Sequence, residues 1–400
     1  MNKWNLEQDY KDISNADFIP WDLLRGKTIF ITGATGLIGT SLINALLYVN
    51  KEKNLQIKIL ALVRDLDRAL QKFSMQHKCA QNNQDTTQNP NIYPTLNTTP
   101  NTTQDPTLHF IVGSVEDLPK VAESITDSID YIIHGASQTA SKEFVTHPVE
   151  TIQTSVLGTI NTLEFAKRKF TTKNKDSDDD KNKESEYSLA RDKGAHGYVY
   201  LSSMEMYGYP EKGHIVLEEE AGALSPLDLR NSYPISKQIC EALCCAYAKE
   251  YGIPAKIARL TQTFGPGVHY DDNRIFAYFA RCSTEKKNII LKTKGETERC
   301  YLYTADAVTA ILTILLKGEI GQAYNCANEK TYCSIAEMAQ TVAKEAGISV
   351  EYQTESETEN CTKNYFPKTL YMHLGTEKLR NLGWESTGGV SNWLRCIEGC

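Results

Sequence analysis

Hydrophobic positions along the chain fall into short unbroken runs separated by stretches with helical spacing. Residues 28–32 (Thr-Ile-Phe-Ile-Thr) are β-branched or aromatic throughout, which predicts a strand buried on both faces. Leu42, Ile43, Leu46 and Leu47 follow at helical spacing within 40–49. Similar strand runs occupy 57–63, 109–112, 131–134 and 198–201, and 149–168 reads as a helix. Buried strands alternating with amphipathic helices predict an α/β fold, a doubly wound parallel sheet covered on both faces.

Two tracts interrupt this pattern. Residues 75–106 are biased to Asn, Gln, Thr and Pro, and 171–196 form a charged run; neither has enough apolar surface to join a core, so both are expected to be disordered insertions. Residues 1–26 are a polar extension holding Trp4 and Trp21, expected to pack on the surface as a short helix and lead-in. The expected organisation is an extension (1–26), a sheet domain carrying both insertions (27–260), and a smaller C-terminal lobe (261–400) with some segments returning to the sheet domain.

Composition narrows the possibilities. Hydrophobic residues are 41% and charged residues 23% of the 400, as in globular proteins. Lys and Arg number 43 against 50 Asp and Glu, a net charge of −7, which opposes a general nucleic-acid or anionic-membrane partner. No apolar run approaches the ~18 residues of a membrane span, and the first residues show no secretory signal. The 11 cysteines are scattered, with no Cys-x-x-Cys pair and no zinc spacing, so no metal is expected. Reduced thiols and a cytoplasmic protein are expected. Cys240, Cys244 and Cys245 on one predicted helix read as small buried hydrophobes.

The chemistry begins between the first strand and helix, at Gly33-Ala34-Thr35-Gly36-Leu37-Ile38-Gly39. Glycines at this spacing let the backbone turn tightly and approach a pyrophosphate, while the helix N-terminus offers free N–H groups. In its strand–loop–helix context the loop predicts dinucleotide binding, with contacts from Gly33, Thr35, Gly36, Leu37, Ile38 and Gly39. Cofactor choice is read at the end of the second strand, where an acid bonds the ribose hydroxyls. Arg64 stands there, followed by Asp65. An arginine pairs with a 2′-phosphate, so Arg64 favours NADP; the alternative is that Asp65 takes the ribose of NAD.

Farther along, Tyr233 and Lys237 are four apart near the start of a predicted helix and share one face. An ammonium near a phenol favours the phenolate and lowers its pKa toward neutrality, making a base for a hydroxyl proton. Ser203 ends a predicted strand about 30 residues upstream and can bond the same oxygen.

These residues carry a resemblance. GxxGxxG is similar to the loop of the short-chain dehydrogenase/reductases. The blocks TGATGLIG, LSSMEMYG, YPISK, ARLTQTFGPG and ERCYLYTADAV resemble the extended members, the NAD-dependent epimerase/dehydratase family acting on nucleotide sugars. The resemblance runs from about Lys27 to the C-terminus. It implies a Rossmann domain with tightly bound NAD(P), a smaller substrate lobe, and a nucleotide sugar between them. It maps Ser203, Tyr233 and Lys237 onto the catalytic trio and Arg299 onto a nucleotide-phosphate contact. Arg259 and Gln262 begin a block in which Gln262 replaces the family's asparagine. Ser114 and Val115 fall against the adenine, Ser114 replacing an aspartate, and Ala136 joins the cofactor contacts. Family members often dimerise through a four-helix bundle, here 149–168 with the helix of Tyr233, whose stripe of Ile235, Ile239, Ala242 and Ala246 suits a partner or the core equally.

The block from Ser203 to Gly208 discriminates reactions. Epimerases of the family usually have small neutral residues there, whereas dehydratases and decarboxylases carry a glutamate, here Glu205. Oxidation at C4 acidifies the C5 proton, which a carboxylate can remove. Met204 stands where dehydratases use an acid, and a thioether cannot protonate a leaving hydroxyl. Either Glu205 both takes and gives the proton, or no leaving group needs one; the second case is decarboxylation, because a 4-ketone makes a C6 carboxylate a β-keto acid. The expected enzyme is a 4,6-dehydratase or C6-decarboxylase; a 4-epimerase or reductase is the alternative. A dinucleotide sensor without turnover would have no need of a phenolate base.

Overall fold

The computed structural model describes residues 6–79, 105–170, 196–268, 270–353 and 369–387. Its centre is a parallel sheet of seven strands. Along the chain these are β1 (Thr28–Thr32), β2 (Lys58–Val63), β3 (Leu108–Val112), β4 (Tyr131–His134) and β5 (Gly197–Ser203). After the short β6 (Ile215–Val216) comes β7 (Ala255–Leu260). Then follow β8 (Gln262–Phe264), β9 (Ile289–Leu291), β10 (Glu298–Tyr303) and β11 (Ala323–Cys326), and finally β12 (Asn328–Ser334), β13 (Val350–Tyr352) and β14 (Tyr371–Leu374).

The large sheet runs β11-β7-β5-β4-β1-β2-β3. Strand order reverses between β1 and β4, the switch point where a doubly wound sheet opens a crevice for a ligand. In β1 and β7 every residue is buried, because helices cover both faces. One face carries a cluster built on Ile29, Ile31, Leu42, Leu46 and Ile311, and the other a cluster around Phe30, Ile132, Phe165 and Tyr198. Alternate residues of one strand therefore enter different cores. β11 pairs in parallel with β7 at one edge of this sheet.

Helix α1 (Leu6–Ser14) packs on α2 (Leu37–Lys53). The extension contributes Ile13, Ile19 and Leu24 to the core, so it is more than a surface lead-in. Helix α3 (Leu66–Cys79) carries regular structure into the start of the tract expected to be an insertion. Most of that tract, and nearly all of the second, lies outside the described residues. A second sheet of five strands runs β12-β10-β14-β6 with β8 on β10, and β9 pairs with β13. Among the described residues no helix is long and apolar enough to cross a membrane.

Candidate active site

The cofactor loop joins β1 to α2. Gly33 has φ +71°, and a Cβ on it would lie 2.6 Å from the Gly135 carbonyl. A Cβ on Gly39 would fall 2.2 Å from the Gly33 oxygen. Both glycines permit close backbone approach, and Gly36, at the N-cap of α2, leaves the first-turn amides facing outward. This bare cradle at the switch point fits a pyrophosphate. Behind it the Thr32 hydroxyl bonds His134 Nδ1 at 2.7 Å and accepts from the amide of Ala136 at 3.2 Å. Burial, with the Lys237 charge adding to it, holds His134 down at about 3, so the ring is neutral and braces the loop.

At the end of β2, Arg64 is exposed and its guanidinium makes no hydrogen bond or ion pair among the described residues. Asp65 accepts from the amide of Arg68 at 3.0 Å, capping α3. Lys72 of α3, which the sequence reading missed, donates to the carbonyl of Thr35 at 2.9 Å. Its spacing of eight from Arg64 was the available signal. Ser114 is bonded to Asp117 at 3.0 Å. The Val115 side chain is buried in the core, and its carbonyl accepts from the Asn161 side-chain amide at 2.9 Å.

Beyond the short α4 (Leu118–Val121) and α5 (Ser141–Thr146), helix α6 (Pro148–Phe170) packs against α7 (Ser232–Tyr251), which α8 (Ile275–Glu285) follows along the chain. The first two turns of α7 aim Tyr233 and Lys237 back at the end of β5. Lys237 Nζ donates to the Leu201 carbonyl at 2.8 Å and lies 5.4 Å from the Tyr233 ring centroid. Phe144, also missed from sequence, stacks on the Tyr233 ring at 4.4 Å, the planes 1° apart. The expected lowering of the Tyr233 pKa is corrected: burial pushes it up, Glu205 adds to that, and a hydrogen bond with Ser203 opposes them. A phenol wrapped in protein loses more by desolvation than a nearby ammonium returns. Burial lowers Lys237 itself to about 8, against the pull of Cys240 and Glu241.

Glu205 reaches this site from a turn rather than from the strand itself. β5 stops at Ser203, and Met204–Tyr207 form a 3₁₀ turn whose N-cap is Ser203, its hydroxyl accepting from the Glu205 amide at 3.2 Å. Strand alternation therefore does not aim Glu205; the turn does. The carboxyl keeps an open side and is otherwise surrounded by protein. Burial raises its pKa, while Arg299, Arg230 and Lys237 pull it down. Arg230, just ahead of α7, is a third residue missed from sequence. Met204 points into an apolar cluster with Val216, Cys300 and Leu374, where its sulfur accepts from Thr261.

The smaller sheet brings Gln262 and Arg299 together, Arg299 donating to the Gln262 side-chain oxygen at 3.1 Å. Arg299 Nε is buried without a hydrogen-bond partner, a donor free for an anion. Arg259 is structural: it is buried, pairs with Glu241 at 2.7 Å, and donates to the Tyr207 hydroxyl at 2.6 Å. Removing one partner of such a pair costs about 3–5 kcal/mol. Cys240 and Cys244 are buried as expected, but Cys245 is exposed, because it lies on the outer face of α7.

Sheet order, glycine loop and crossover helices make this a Rossmann-type α/β protein. Residues 29–327 match the NAD dependent epimerase/dehydratase family, and the chain belongs to that family. Among curated relatives, UDP-glucuronic acid decarboxylase 1 of Xenopus tropicalis is 27% identical over 66% of this chain and 55% of its own. UDP-glucuronic acid decarboxylase 5 of Arabidopsis thaliana is 26% identical over 72% of this chain and 79% of its own. The chain spans about half the length of the vertebrate decarboxylases it matches. Of solved structures, dTDP-glucose 4,6-dehydratase of Bacillus anthracis in complex with NAD has TM-score 0.66 at 19% identity, covering 93% of this chain and 96% of that one. RMD of Pseudomonas aeruginosa complexed with NADPH has TM-score 0.62 at 19% identity, covering 93% and 96%.

Proposed function

We propose that the protein is a nucleotide-sugar lyase that oxidises C4 transiently with bound NAD(P), and that its reaction is decarboxylation at C6 of a nucleotide-linked uronic acid. The carrying observation is the pair formed by Glu205 and Met204. A carboxyl lies at the Ser203/Tyr233/Lys237 cluster beneath two arginine charges, while the neighbouring thioether is turned into an apolar cluster. Nothing at that position protonates a departing hydroxyl, and the arginines favour an anionic ring substituent. The resemblance to UDP-glucuronic acid decarboxylases supports the same reading.

In this mechanism Ser203 and Tyr233 hold the C4 hydroxyl, and the Tyr233 phenolate, a strong base because burial raises its pKa, takes its proton once the phenol's own proton has left to solvent. NAD(P), held at the loop of Gly33, Gly36 and Gly39, would supply the acceptor, and later the donor, of the C4 hydride. Lys237 keeps a positive charge beside the phenol, which favours the proton's transfer. Once C4 is a ketone, the C5–C6 bond breaks, carbon dioxide leaves, and the electron pair rests on C5. Glu205, its pKa raised by burial, delivers the proton to C5. Arg299, with Gln262, binds the diphosphate or the carboxylate. In a dehydratase the same Glu205 would instead remove the C5 proton.

Arg64, left unpaired while Asp65 caps α3, supports NADP over NAD. Val149, Ile152 and Ile239, exposed at 60%, 42% and 42%, leave apolar faces on α6 and α7 that support a homodimer. The test is incubation with UDP-glucuronate and with 6-hydroxy nucleotide sugars, followed by mass spectrometry and by proton NMR, which reads the configuration at C4. Release of carbon dioxide with a nucleotide pentose is expected. Loss of water from a 6-hydroxy substrate would make the enzyme a dehydratase, and inversion at C4 alone an epimerase.

A further inference from the structure

The 3₁₀ turn that carries Glu205 is fastened on both sides of that residue. Ahead of it, Ser203 caps the Glu205 amide, and the Met204 sulfur accepts from the Thr261 hydroxyl. Behind it, the Met206 carbonyl accepts from the Gln238 side chain at 2.9 Å. The Gly208 amide closes the turn on the Glu205 carbonyl at 3.0 Å, with Gly208 at φ +67°. A short 3₁₀ turn has poor hydrogen-bond geometry of its own, so the direction of Glu205 depends on ties to other elements.

The shortest of these ties run through the buried Tyr207 hydroxyl. It accepts from Arg259 Nη1 at 2.6 Å and donates to Asn325 Oδ1 at 2.7 Å. Burial raises the phenol's pKa, so it keeps the proton it donates. Asn325 gives its amide N–H groups to the carbonyls of Val216 and Gly375, so its oxygen is the atom that meets Tyr207. Arg259 is gripped in turn by both oxygens of Glu241, and the same carboxylate accepts from the Ser202 hydroxyl. Glu241 lies one helical turn beyond Lys237 on α7, and Ser202 precedes Ser203 in β5. One buried network therefore joins the helix of Tyr233 and Lys237, the strand of Ser203 and the turn of Glu205. A satisfied buried network rigidifies the elements it joins.

We propose that Tyr207 is a positioning residue, whose hydroxyl holds the turn so that the Glu205 carboxyl stands at the Ser203/Tyr233/Lys237 cluster, with Gln238 as the second tie from α7. This rests on the role given to Glu205 at C5. Misplacing a reacting group by about 1 Å costs about 10²-fold in rate. Tyr207→Phe deletes one hydroxyl and leaves the ring, the Arg259–Glu241 pair and the contacts of Tyr233 and Lys237 in place. Its effect therefore falls on the proton step at C5 and spares the oxidation at C4.

The experiment is a single turnover of UDP-glucuronate by the full-length holoenzyme, followed by the absorbance of reduced cofactor as it rises and decays. Tyr207→Phe should change the rise less than about twofold and slow the decay at least about tenfold. Gln238→Leu should slow the decay in the same way, and it carries the test if Tyr207→Phe does not fold. Tyr198→Phe is the control, since it removes another buried hydroxyl from β5, one bonded to Thr162 at 2.9 Å. It should leave both phases unchanged. Equal slowing of rise and decay, an unchanged decay, or a Tyr198→Phe protein slowed as much would make Tyr207 a stabilising residue only and overturn the proposal. Those outcomes leave the lyase reading standing. A wild type that releases neither carbon dioxide nor water from any nucleotide sugar overturns both.

Discussion

The ammonium of Lys237 lies 5.4 Å from the centroid of the Tyr233 ring and is held there by the carbonyl of Leu201 at 2.8 Å. The contact anchors the charge at the end of β5, beside Ser203, rather than on the phenol oxygen. Tyr233→Phe removes the proton acceptor and leaves the ring stack on Phe144. Folding and nucleotide binding should persist while turnover falls about 10²–10⁴-fold. Turnover within tenfold of wild type would remove Tyr233 from the mechanism. With Lys237 lowered to about 8, its charge is lost as pH rises through that value, so kcat should decline on the alkaline side near there.

Glu205→Gln keeps the shape of the 3₁₀ turn and removes the titrating group. If Glu205 moves the C5 proton, the variant should form reduced cofactor, absorbing near 340 nm, and slow sharply at the following step. Products made by wild type in deuterated water should carry deuterium at C5. An unlabelled C5 in a decarboxylated product would exclude this role.

Asp306, in the first turn of helix α9 (Thr304–Lys317), accepts from the amide and hydroxyl of Thr387 through one oxygen and leaves the other without a partner. Burial raises its pKa from 3.8 to about 7 despite the Thr387 bonds, with Asp9 adding to the rise. Between those values the folded chain holds a proton that the unfolded chain has released, so stability falls as pH rises. Asp306→Asn should flatten that slope and stabilise the protein above pH 7, on the order of a few kcal/mol. Denaturant unfolding at pH 5 and pH 8 measures it; an unchanged pH slope would show that Asp306 is not its source.

Ile239→Glu and Ile152→Glu place charges on the exposed apolar faces of α7 and α6. A dimer formed through these helices should become a monomer in light scattering, with circular dichroism unchanged. A wild-type protein already monomeric at micromolar concentration would remove the homodimer reading.

The stripe of Ile235, Ile239, Ala242 and Ala246 shows where local pattern stops being informative. Periodicity places these side chains on one helical face, but whether that face meets the core depends on neighbours distant in sequence. Here Ile239, Ala242 and Ala246 are exposed. The minor sheets were similarly hidden: β6, β8, β9 and β13 are two or three residues long, too short for a periodic signal, and β6 and β8 exist through their partners β14 and β10.

The sequence by itself determined the parallel sheet, the glycine loop and the sharing of a face by Tyr233 and Lys237. Each follows from residues within one or two turns or strands: continuous apolar runs, missing side chains, a spacing of four. Tertiary structure alone decided the rest. It joined Arg299 to Gln262 across neighbouring strands, buried Met204 away from the cleft, aimed Glu205 by a turn instead of a strand, and carried Lys72 onto the cofactor loop. It also reversed the expected shift of Tyr233. Burial and electrostatic neighbourhood sum over groups remote along the chain, and no local pattern contains that sum.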